Sequence, residues 1–271
     1  MSGLIRLITV VAVFWFLTTG TKATEVRQLL RGGGTSIVKE VIDGDTAILD
    51  PPIDGAEQVR LVGIQAPKLA LGRKGFEEWP LAPEAKTALE RLVLGRSVEL
   101  RFGGASMDRH GRHLAHLFSE DGTWVQGEML SRGWARVYTF PDNEVLAAEM
   151  YAAENTARAA RRGIWAHRFY RVRSSKTGPL YNDVGTFQIV KGTVIAAANV
   201  RGRVYVNFGD DWKTDFTITL DPKVRRRFEK SGLDPLALEG HTIEVRGWLR
   251  KRNGPMISAS HRQQIRILKT P

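Results

Sequence analysis

The sequence predicts a mainly β protein with helices, an α+β chain made of two five-stranded barrels. Short β-branched and apolar segments, separated by glycine, proline and aspartate, recur along most of the chain, which is typical of strands in a meander. Apolar residues at helical spacing occur in fewer places, for example at Ala85, Leu89 and Leu92. With 271 residues, the chain is long enough for two domains of ordinary size.

The first 23 residues have the pattern of a secretory signal peptide. A single positive charge at Arg6 precedes the apolar run Leu7–Leu17, and small residues follow up to Ala23. The run is too short to span a bilayer comfortably, so we expect export with cleavage after Ala23, with an uncleaved membrane anchor as the alternative. No further transmembrane segment is predicted. Residues 24–34, which end in three glycines, are expected to form a flexible leader.

The charge of the chain favours polyanionic partners. Forty Lys and Arg against 29 Asp and Glu give a net charge of +11, and subtracting Arg6 and Lys22 of the signal leaves about +9. Such a surplus suits nucleic acid or another phosphate-rich polyanion. The absence of cysteine excludes disulfides, thiol catalysis and cysteine metal ligands.

The order of elements predicts the first barrel over residues 35–168. Strand-like segments lie at residues 35–50, 57–64, 97–102 and 112–118, and helical ones at 83–94, 125–131 and 142–160. Asp142 and Asn143 are candidate N-caps of the last helix. With three strands predicted before the first helix, the order is strand-strand-strand, helix, strand-strand, helix, helix. This is the order of a five-stranded Greek-key barrel with helices at one side, the oligonucleotide-binding (OB-fold) type.

A second barrel of the OB type is predicted at residues 186–268, after a basic linker at 169–185. Its strand-like segments are 187–196, 203–208, 215–220, 242–249 and 256–258, with a helix at 222–230. Tyr205, Phe208 and Trp212 are candidate nucleic-acid stacking residues, because arginine and lysine lie close to them in the sequence. The alternative is that these aromatics are structural, as half-buried aromatics on strands usually are.

Four motifs mark residues 35–168. They are Val41-Ile42-Asp43-Gly44-Asp45-Thr46, then Arg60 to Lys68 ending in Gln65-Ala66-Pro67-Lys68, then Asp108-Arg109-His110-Gly111-Arg112, and finally Gly163-Ile164-Trp165. In this order and spacing they resemble the staphylococcal nuclease (thermonuclease, TNase-like) family. In that family the first strand ends in D-G-D-T, and D-T-P-E stands where this chain has Q-A-P-K.

The resemblance implies phosphodiester hydrolysis with one calcium ion, a glutamate base and two arginines. By position, Asp45 matches the first metal ligand, and Arg60 and Arg112 match the phosphate-binding arginines. Gln65 replaces the second aspartate ligand and Lys68 replaces the base, which makes the site three charges more positive. Hard divalent cations prefer anionic oxygens, so we predict no cofactor. Ca²⁺ at Asp45 is only a weak prediction.

Four functions remain open on this basis. The two arginines and Lys68 bind phosphodiesters in an exported protein with weakened or absent nuclease activity. Alternatively, the chain is an active extracytoplasmic endonuclease, in which neutral Lys68 is the base or Asp43, Glu77 or Glu78 supply the missing carboxylates. A third function is a non-catalytic interaction module of the cell envelope. In the fourth, Asp45 only caps its turn and pairs with the arginines, and no ligand binds.

Overall fold

The computed structural model describes residues 25–271, so the predicted signal peptide lies outside the described residues. The chain forms two compact units. The first comprises the described residues up to Tyr138 together with Asp142–Ala166, and the second comprises Thr139–Pro141 and His167–Pro271. Between residues 25 and 271, no helix is long and apolar enough to cross a membrane.

The first unit contains the predicted closed five-stranded barrel. Its strands are β1 (Arg31–Asp43), β2 (Thr46–Ile53), β3 (Ala56–Leu61), β5 (Ser97–Phe102) and β6 (His113–Ser119), while β4 (Ile64–Gln65) and β7 (Arg136–Val137) form a separate two-stranded sheet. The barrel closes in the order β1-β2-β3-β6-β5. Side chains alternate between its two faces, so Val98, Leu100 and Phe102 of β5 are buried while the residues between them are half-buried.

The first unit includes the helices α1 (Ala82–Val93), α2 (Val125–Ser131) and α3 (Ala147–Ala159). The first two lie where the sequence predicted them. Helix α1 buries Ala85, Leu89 and Val93, the residues at helical spacing, in the core of this unit. The barrel and α1 together position the segments that carry the predicted site.

Helix α3 begins later than predicted. Its N-cap residue is Leu146, so the prediction of Asp142 or Asn143 as the cap is wrong. The Asn143 side chain donates instead to the backbone oxygen of Ala105 (3.0 Å), and the Asp142 carbonyl accepts from the Ala105 amide (3.0 Å). Both residues are therefore used to hold the loop after β5.

The predicted leader is partly strand, because β1 begins at Arg31. Arg31 pairs with Phe102 and Gly32 with Arg101 at the edge of β5. A Cβ on Gly33 would overlap the ring of Phe102. Gly33 thus allows a close approach of the backbone to a core side chain, and residues 31–34 belong to a strand.

The predicted linker at residues 169–185 is also wrong, since this segment is an ordered part of the second unit. It contains β8 (Arg173–Ser174) and helix α4 (Thr177–Leu180), with 3₁₀ turns at Arg168–Tyr170 and Tyr181–Asp183. Leu180 is fully buried in the core of the second unit. The Arg173 guanidinium donates to both oxygens of Asp183, at 2.7 and 3.0 Å. Elements of two to four residues are too short to show a period in the sequence.

The second unit is built on one eight-stranded sheet. Besides β8 it contains β9 (Phe187–Thr193), β10 (Ala196–Val200), β11 (Arg203–Asn207), β12 (Thr217–Leu220), β13 (Thr242–Arg252), β14 (Gly254–Ser258) and β15 (Ile265–Lys269). The order is β10-β11-β12-β14-β13-β9-β8, and β15 pairs with β13. The closed second barrel predicted for residues 186–268 is not confirmed. Helix α5 (Pro222–Lys230) follows β12 as predicted.

Candidate functional site

The turn between β1 and β2 places two carboxylates in the interior of the first unit. A Cβ on Gly44 would lie 2.6 Å from the Cβ of Ala66 and 2.9 Å from that of Ala85, so the turn packs tightly between α1 and the segment after β4. Asp43 Oδ1 accepts a hydrogen bond from the Asp45 amide (3.0 Å). Asp43 is 6% exposed and Asp45 is 0% exposed.

The Asp45 carboxylate is engaged at both oxygens. Its Oδ2 accepts from the Ala66 amide at 2.8 Å. Its Oδ1 lies 2.6 Å from Lys68 Nζ, 3.2 Å from Arg60 Nη1 and 3.2 Å from Thr46 Oγ1. Burial alone would raise the pKa of Asp45, but the positive charges of Arg60 and Lys68 outweigh it and hold the pKa well below its ordinary value of 3.8. Asp45 is therefore an ionised carboxylate.

The Lys68 ammonium bridges the two buried carboxylates. Its Nζ lies 2.6 Å from Asp45 Oδ1 and 3.0 Å from Asp43 Oδ2. Burial and the neighbouring charge of Asp45 raise the pKa of Asp43, while Lys68 and Arg60 oppose that rise. Two carboxylates and two cations thus form a cluster of nearly balanced charge. Lys68 Nζ contacts two carboxylates. The prediction of Lys68 as a neutral base instead requires a lysine that lies beside two arginines.

The Arg60 guanidinium binds the protein's own backbone as well as Asp45. Arg60 stands on β3 opposite Thr46. Its Nη1 donates to the carbonyls of Leu61 (2.7 Å) and Asp45 (3.2 Å), and its Nη2 donates to the carbonyl of Ile64 (2.7 Å). These bonds orient the guanidinium and hold the chain between β3 and β4 against the Asp45 turn.

Arg112 is not part of this cluster. Its Nη2 and Nε donate to Asp108 Oδ2 at 2.6 and 2.8 Å, within the turn that leads into β6. Arg112 immediately precedes β6, in which Leu114 lies beside Arg60 of β3. The two arginines therefore stand on adjoining segments with different carboxylate partners. The predicted anion site of Arg60, Arg112 and Lys68 is not assembled by these contacts.

Gln65 is bound by an arginine that is not among the predicted site residues. Gln65 Oε1 accepts from Arg136 Nε (3.0 Å) and Nη2 (2.8 Å), and both residues are buried. The pairing of β4 with β7 places the two residues opposite each other. The guanidinium carbon of Arg136 lies 5.7 Å from the ring centroid of Trp79. No motif marks Arg136 in the sequence, and only the β4–β7 register identifies it.

The predicted alternative carboxylates differ in their placement. Asp43 belongs to the cluster, as described above. Glu77 and Glu78 are exposed in the loop before α1, and neither forms an ion pair within residues 25–271. Of the three carboxylates considered, only Asp43 lies beside Asp45.

The three candidate stacking residues of the second unit are in different environments. Phe208 packs against the core, with its ring centroid 5.0 Å from that of Phe216, so its role is structural. Tyr205 is half-buried on β11. Trp212 is 59% exposed, and Lys213 Nζ lies 5.7 Å from its ring centroid. The sequence does not distinguish these environments, since all three are aromatics in one short segment.

The cluster around Asp45 does not fit a calcium ion in this arrangement. Ca²⁺ takes about six to eight oxygen ligands. Here Lys68 is bonded to both carboxylates, and the Gln65 oxygen is bonded to Arg136. Within the described part of the chain, no group of three or more His, Asp or Glu side chains is arranged to hold a metal ion. The position between Asp43 and Asp45 therefore suits an ammonium group.

Residues 58–167 match the family described as "Staphylococcal nuclease homologue". These residues include most of β3, Lys68, α1, α2, α3 and the segment of Asp108 and Arg112. The chain contains a staphylococcal nuclease-like domain. The closed five-stranded barrel described above is the framework of this domain, and the Asp45 turn lies on it just before the matched residues.

Three of the curated proteins to which the chain is similar have nuclease names. The chain is 32% identical to endonuclease YhcR of Bacillus subtilis over 135 residues, which are 48% of this chain and 11% of that protein. It is 29% identical to a thermonuclease of Staphylococcus intermedius over 149 residues, which are 53% of this chain and 80% of that protein. It is 35% identical to a probable staphylococcal-like nuclease, CAN1, of rice over 109 residues, which are 40% of this chain and 29% of that protein.

Proposed function

We propose that this chain is an exported nucleic-acid-binding protein whose nuclease-type site has weakened or absent hydrolytic activity. One observation carries the proposal: the Lys68 ammonium lies 2.6 and 3.0 Å from the two buried carboxylates. A positive side chain there supplies the neutralising charge that a bound cation would otherwise supply. A lysine bonded to two carboxylates is also a poor substitute for a glutamate base.

The retained arginines support binding of phosphodiesters. Arg60 and Arg112 stand on adjoining segments of the barrel, and guanidinium groups match phosphate oxygens in charge and geometry. Each is held by a carboxylate, which fixes its orientation before a phosphate arrives. The nuclease names of the relatives agree with a nucleic-acid ligand. Export rests on the signal pattern of residues 1–23, and N-terminal sequencing of the protein from intact cells tests it.

The test of the proposal is calcium-dependent cleavage of single-stranded DNA and RNA. We expect the wild-type protein to bind both and to cleave neither at an appreciable rate. Lys68→Glu should introduce calcium-stimulated cleavage, because it removes the ammonium and adds a carboxylate beside Asp43 and Asp45. Adding Gln65→Asp to Lys68→Glu should raise the cleavage rate only slightly further, because Arg136 would bind the new carboxylate as it binds the Gln65 oxygen.

The matched control for Lys68→Glu is Lys86→Glu, a charge change of the same size on the surface of α1. It should leave binding and cleavage unchanged. Robust calcium-dependent turnover by the wild type, abolished by Asp45→Ala, would overturn the proposal in favour of an active endonuclease. Absence of nucleic-acid binding would overturn it in favour of an envelope interaction module.

A further inference from the structure

The positive charge of the chain is confined to one of its two units. Residues 167–271 carry 20 Lys and Arg against 9 Asp and Glu, a formal net charge of +11. Residues 1–166, which include the nuclease-like domain, carry 20 of each. The remaining residues of the second unit, Thr139–Pro141, are uncharged. Long-range attraction of a polyanion is therefore a property of the second unit.

One face of the second unit's sheet packs on its core, and the other carries polar, basic and aromatic residues. The core face includes Leu249, Ile257, Ile218, Val204 and Val206. Their neighbours along each strand point to the opposite side, because successive strand residues alternate. We call that side the outer face, and its residues are Arg203, Tyr205, Asn207, Thr217, Thr219, Trp248, Arg250, Arg252, Met256 and Ser258.

The register makes the outer face continuous across four strands. Arg250 of β13 stands opposite Met256 of β14. Met256 lies beside Thr217 of β12, and Thr217 stands opposite Asn207 of β11. Strands lie about 4.8 Å apart, so this row is about 14 Å long. Thr217 Oγ1 donates to Asn207 Oδ1 at 3.0 Å, so two polar groups of the row satisfy each other. Thr217 and Met256 at the centre of the row are buried, so the accessible part of the outer face is its β13 side, with Trp248, Arg250 and Arg252, together with the half-buried residues of β11.

Strand β13 supplies one side of the outer face with an aromatic ring and two arginines. Trp248, Arg250 and Arg252 alternate along the strand and are exposed. Consecutive members of this set are about 7 Å apart. Trp248 is 46% exposed, and its ring meets Phe187 edge-on, with centroids 6.4 Å apart. Within residues 25–271, the guanidinium groups of Arg250 and Arg252 form no ion pair, so both are available to phosphates.

We infer that the outer face of the second unit binds single-stranded nucleic acid, with Arg250 and Arg252 on the phosphates and Trp248 stacked on a base. This inference deepens the proposed function by naming the surface that captures the ligand. Single strands expose their bases, and a sequence-tolerant site for them combines basic groups with an aromatic platform. Tyr205, on the other side of the same face, offers a second ring.

Two other features of the second unit are less suited to this role. Trp212 is more exposed than Trp248, but it lies in the loop between β11 and β12, outside the strands. Helix α5 carries Arg226 and Arg227, which are exposed but have no exposed aromatic residue within the helix. These two features therefore provide matched controls for the outer face, with the same residue types in the same unit.

The experiment measures binding of the full chain to a fluorescein-labelled 15-nucleotide oligothymidylate at several salt concentrations. Arg250→Ala with Arg252→Ala should weaken binding and lower the slope of log Kd against log salt by about 1.4, since each phosphate contact with a single strand contributes about 0.7. Arg226→Ala with Arg227→Ala removes the same charge and should change the slope much less.

The aromatic contact is tested separately with inorganic polyphosphate, which has phosphates but no bases. Trp248→Ala should weaken oligothymidylate binding by about tenfold and leave polyphosphate binding unchanged. Trp212→Ala should change neither. If Trp248→Ala lowers the melting temperature, Trp248→Leu keeps an apolar contact with Phe187 while removing the ring, and it should show the same loss.

Equal losses in the α5 pair and the β13 pair would overturn the inference, as would unchanged affinity in both Trp248 variants. Equal loss for polyphosphate and oligothymidylate in Trp248→Ala would also overturn it, since the ring would then not contact a base. If the wild type binds the oligonucleotide and the outer-face variants do not differ from it, only this inference fails. If the wild type does not bind, the proposed function fails as well.

Discussion

Replacing Lys68 by methionine tests whether the ammonium holds the Asp45 cluster together. Methionine keeps most of the length of the side chain but removes the charge that lies 2.6 and 3.0 Å from the two carboxylates. Asp43 and Asp45 would then be left with Arg60 as their remaining cation. Two buried carboxylates with one cation repel each other and lack part of their solvation, so the folded state should lose stability.

The expected cost follows from the burial of the pair. Breaking a fully buried ion pair costs about 3–5 kcal/mol. The Lys68 side chain is 19% exposed, and Asp45 keeps Arg60 and the Ala66 amide, so we expect about 2–3 kcal/mol. In a chain of this size that corresponds to a fall of about 4–12 °C in melting temperature. Calcium at ten times its Kd should restore about 1.4 kcal/mol in the variant, or about 3–6 °C.

The assay is thermal unfolding followed by circular dichroism, with and without calcium chloride. Lys86→Met is the control, because the Lys86–Glu90 pair on α1 is a surface contact of 3.8 Å and should cost less than about 0.5 kcal/mol. A Lys68→Met protein as stable as the wild type would refute the reasoning. So would equal calcium stabilisation of the wild type, since the ammonium would then not compete with the ion.

Three further predictions concern the rest of the fold. Gln65→Leu removes the acceptor of two hydrogen bonds from Arg136, so it should lower the free energy of unfolding, measured by urea titration, by about 1.5–3 kcal/mol. An unchanged free energy of unfolding would mean that Arg136 does not depend on this oxygen. Burial lowers the pKa of His116 to about 3, whereas its pKa in the unfolded chain is 6.5. The free energy of unfolding should therefore be highest above pH 6.5 and should fall by about 1.4 kcal/mol per pH unit as the pH is lowered from 6.5 towards 3. His116→Gln should flatten that dependence, whereas the same change at the exposed His110 should not, and an unchanged profile in His116→Gln would contradict the assignment. Leu180→Ala should cost about 2–5 kcal/mol because the side chain is buried in the second core, while a residue in a flexible linker would cost nothing measurable.

The parts of the fold that the sequence predicted best are those with a clear period. Strand β5 alternates over six residues and α1 repeats apolar residues at helical spacing, and both lie where predicted. The start of α3 was misplaced because Asp142 and Asn143 have the residue types of N-caps but bind the neighbouring loop. A side chain's partner in the folded chain is not readable from its own type.

The candidate site was predictable in its positions but not in its contacts. The D-G-D-T segment and Arg60 identified where the cluster forms, and the replacement by Lys68 was visible as a change of charge. The sequence did not indicate that Lys68 would bridge both carboxylates. Nor did it indicate that Arg112 would bind Asp108. These contacts depend on side-chain geometry and on the register of neighbouring strands, which residue order alone does not determine.

The bridging position of Lys68 also determines how the Asp45 cluster responds to divalent ions in solution. A group attached to the same chain acts at a fixed effective concentration, in the millimolar range or above for short tethers, whatever the composition of the solution. A free cation has to displace this intramolecular competitor before it reaches Asp45, so its apparent affinity is reduced by the occupancy of the ammonium. The net charge of the Asp45 cluster therefore changes little when the divalent-ion concentration outside the protein changes.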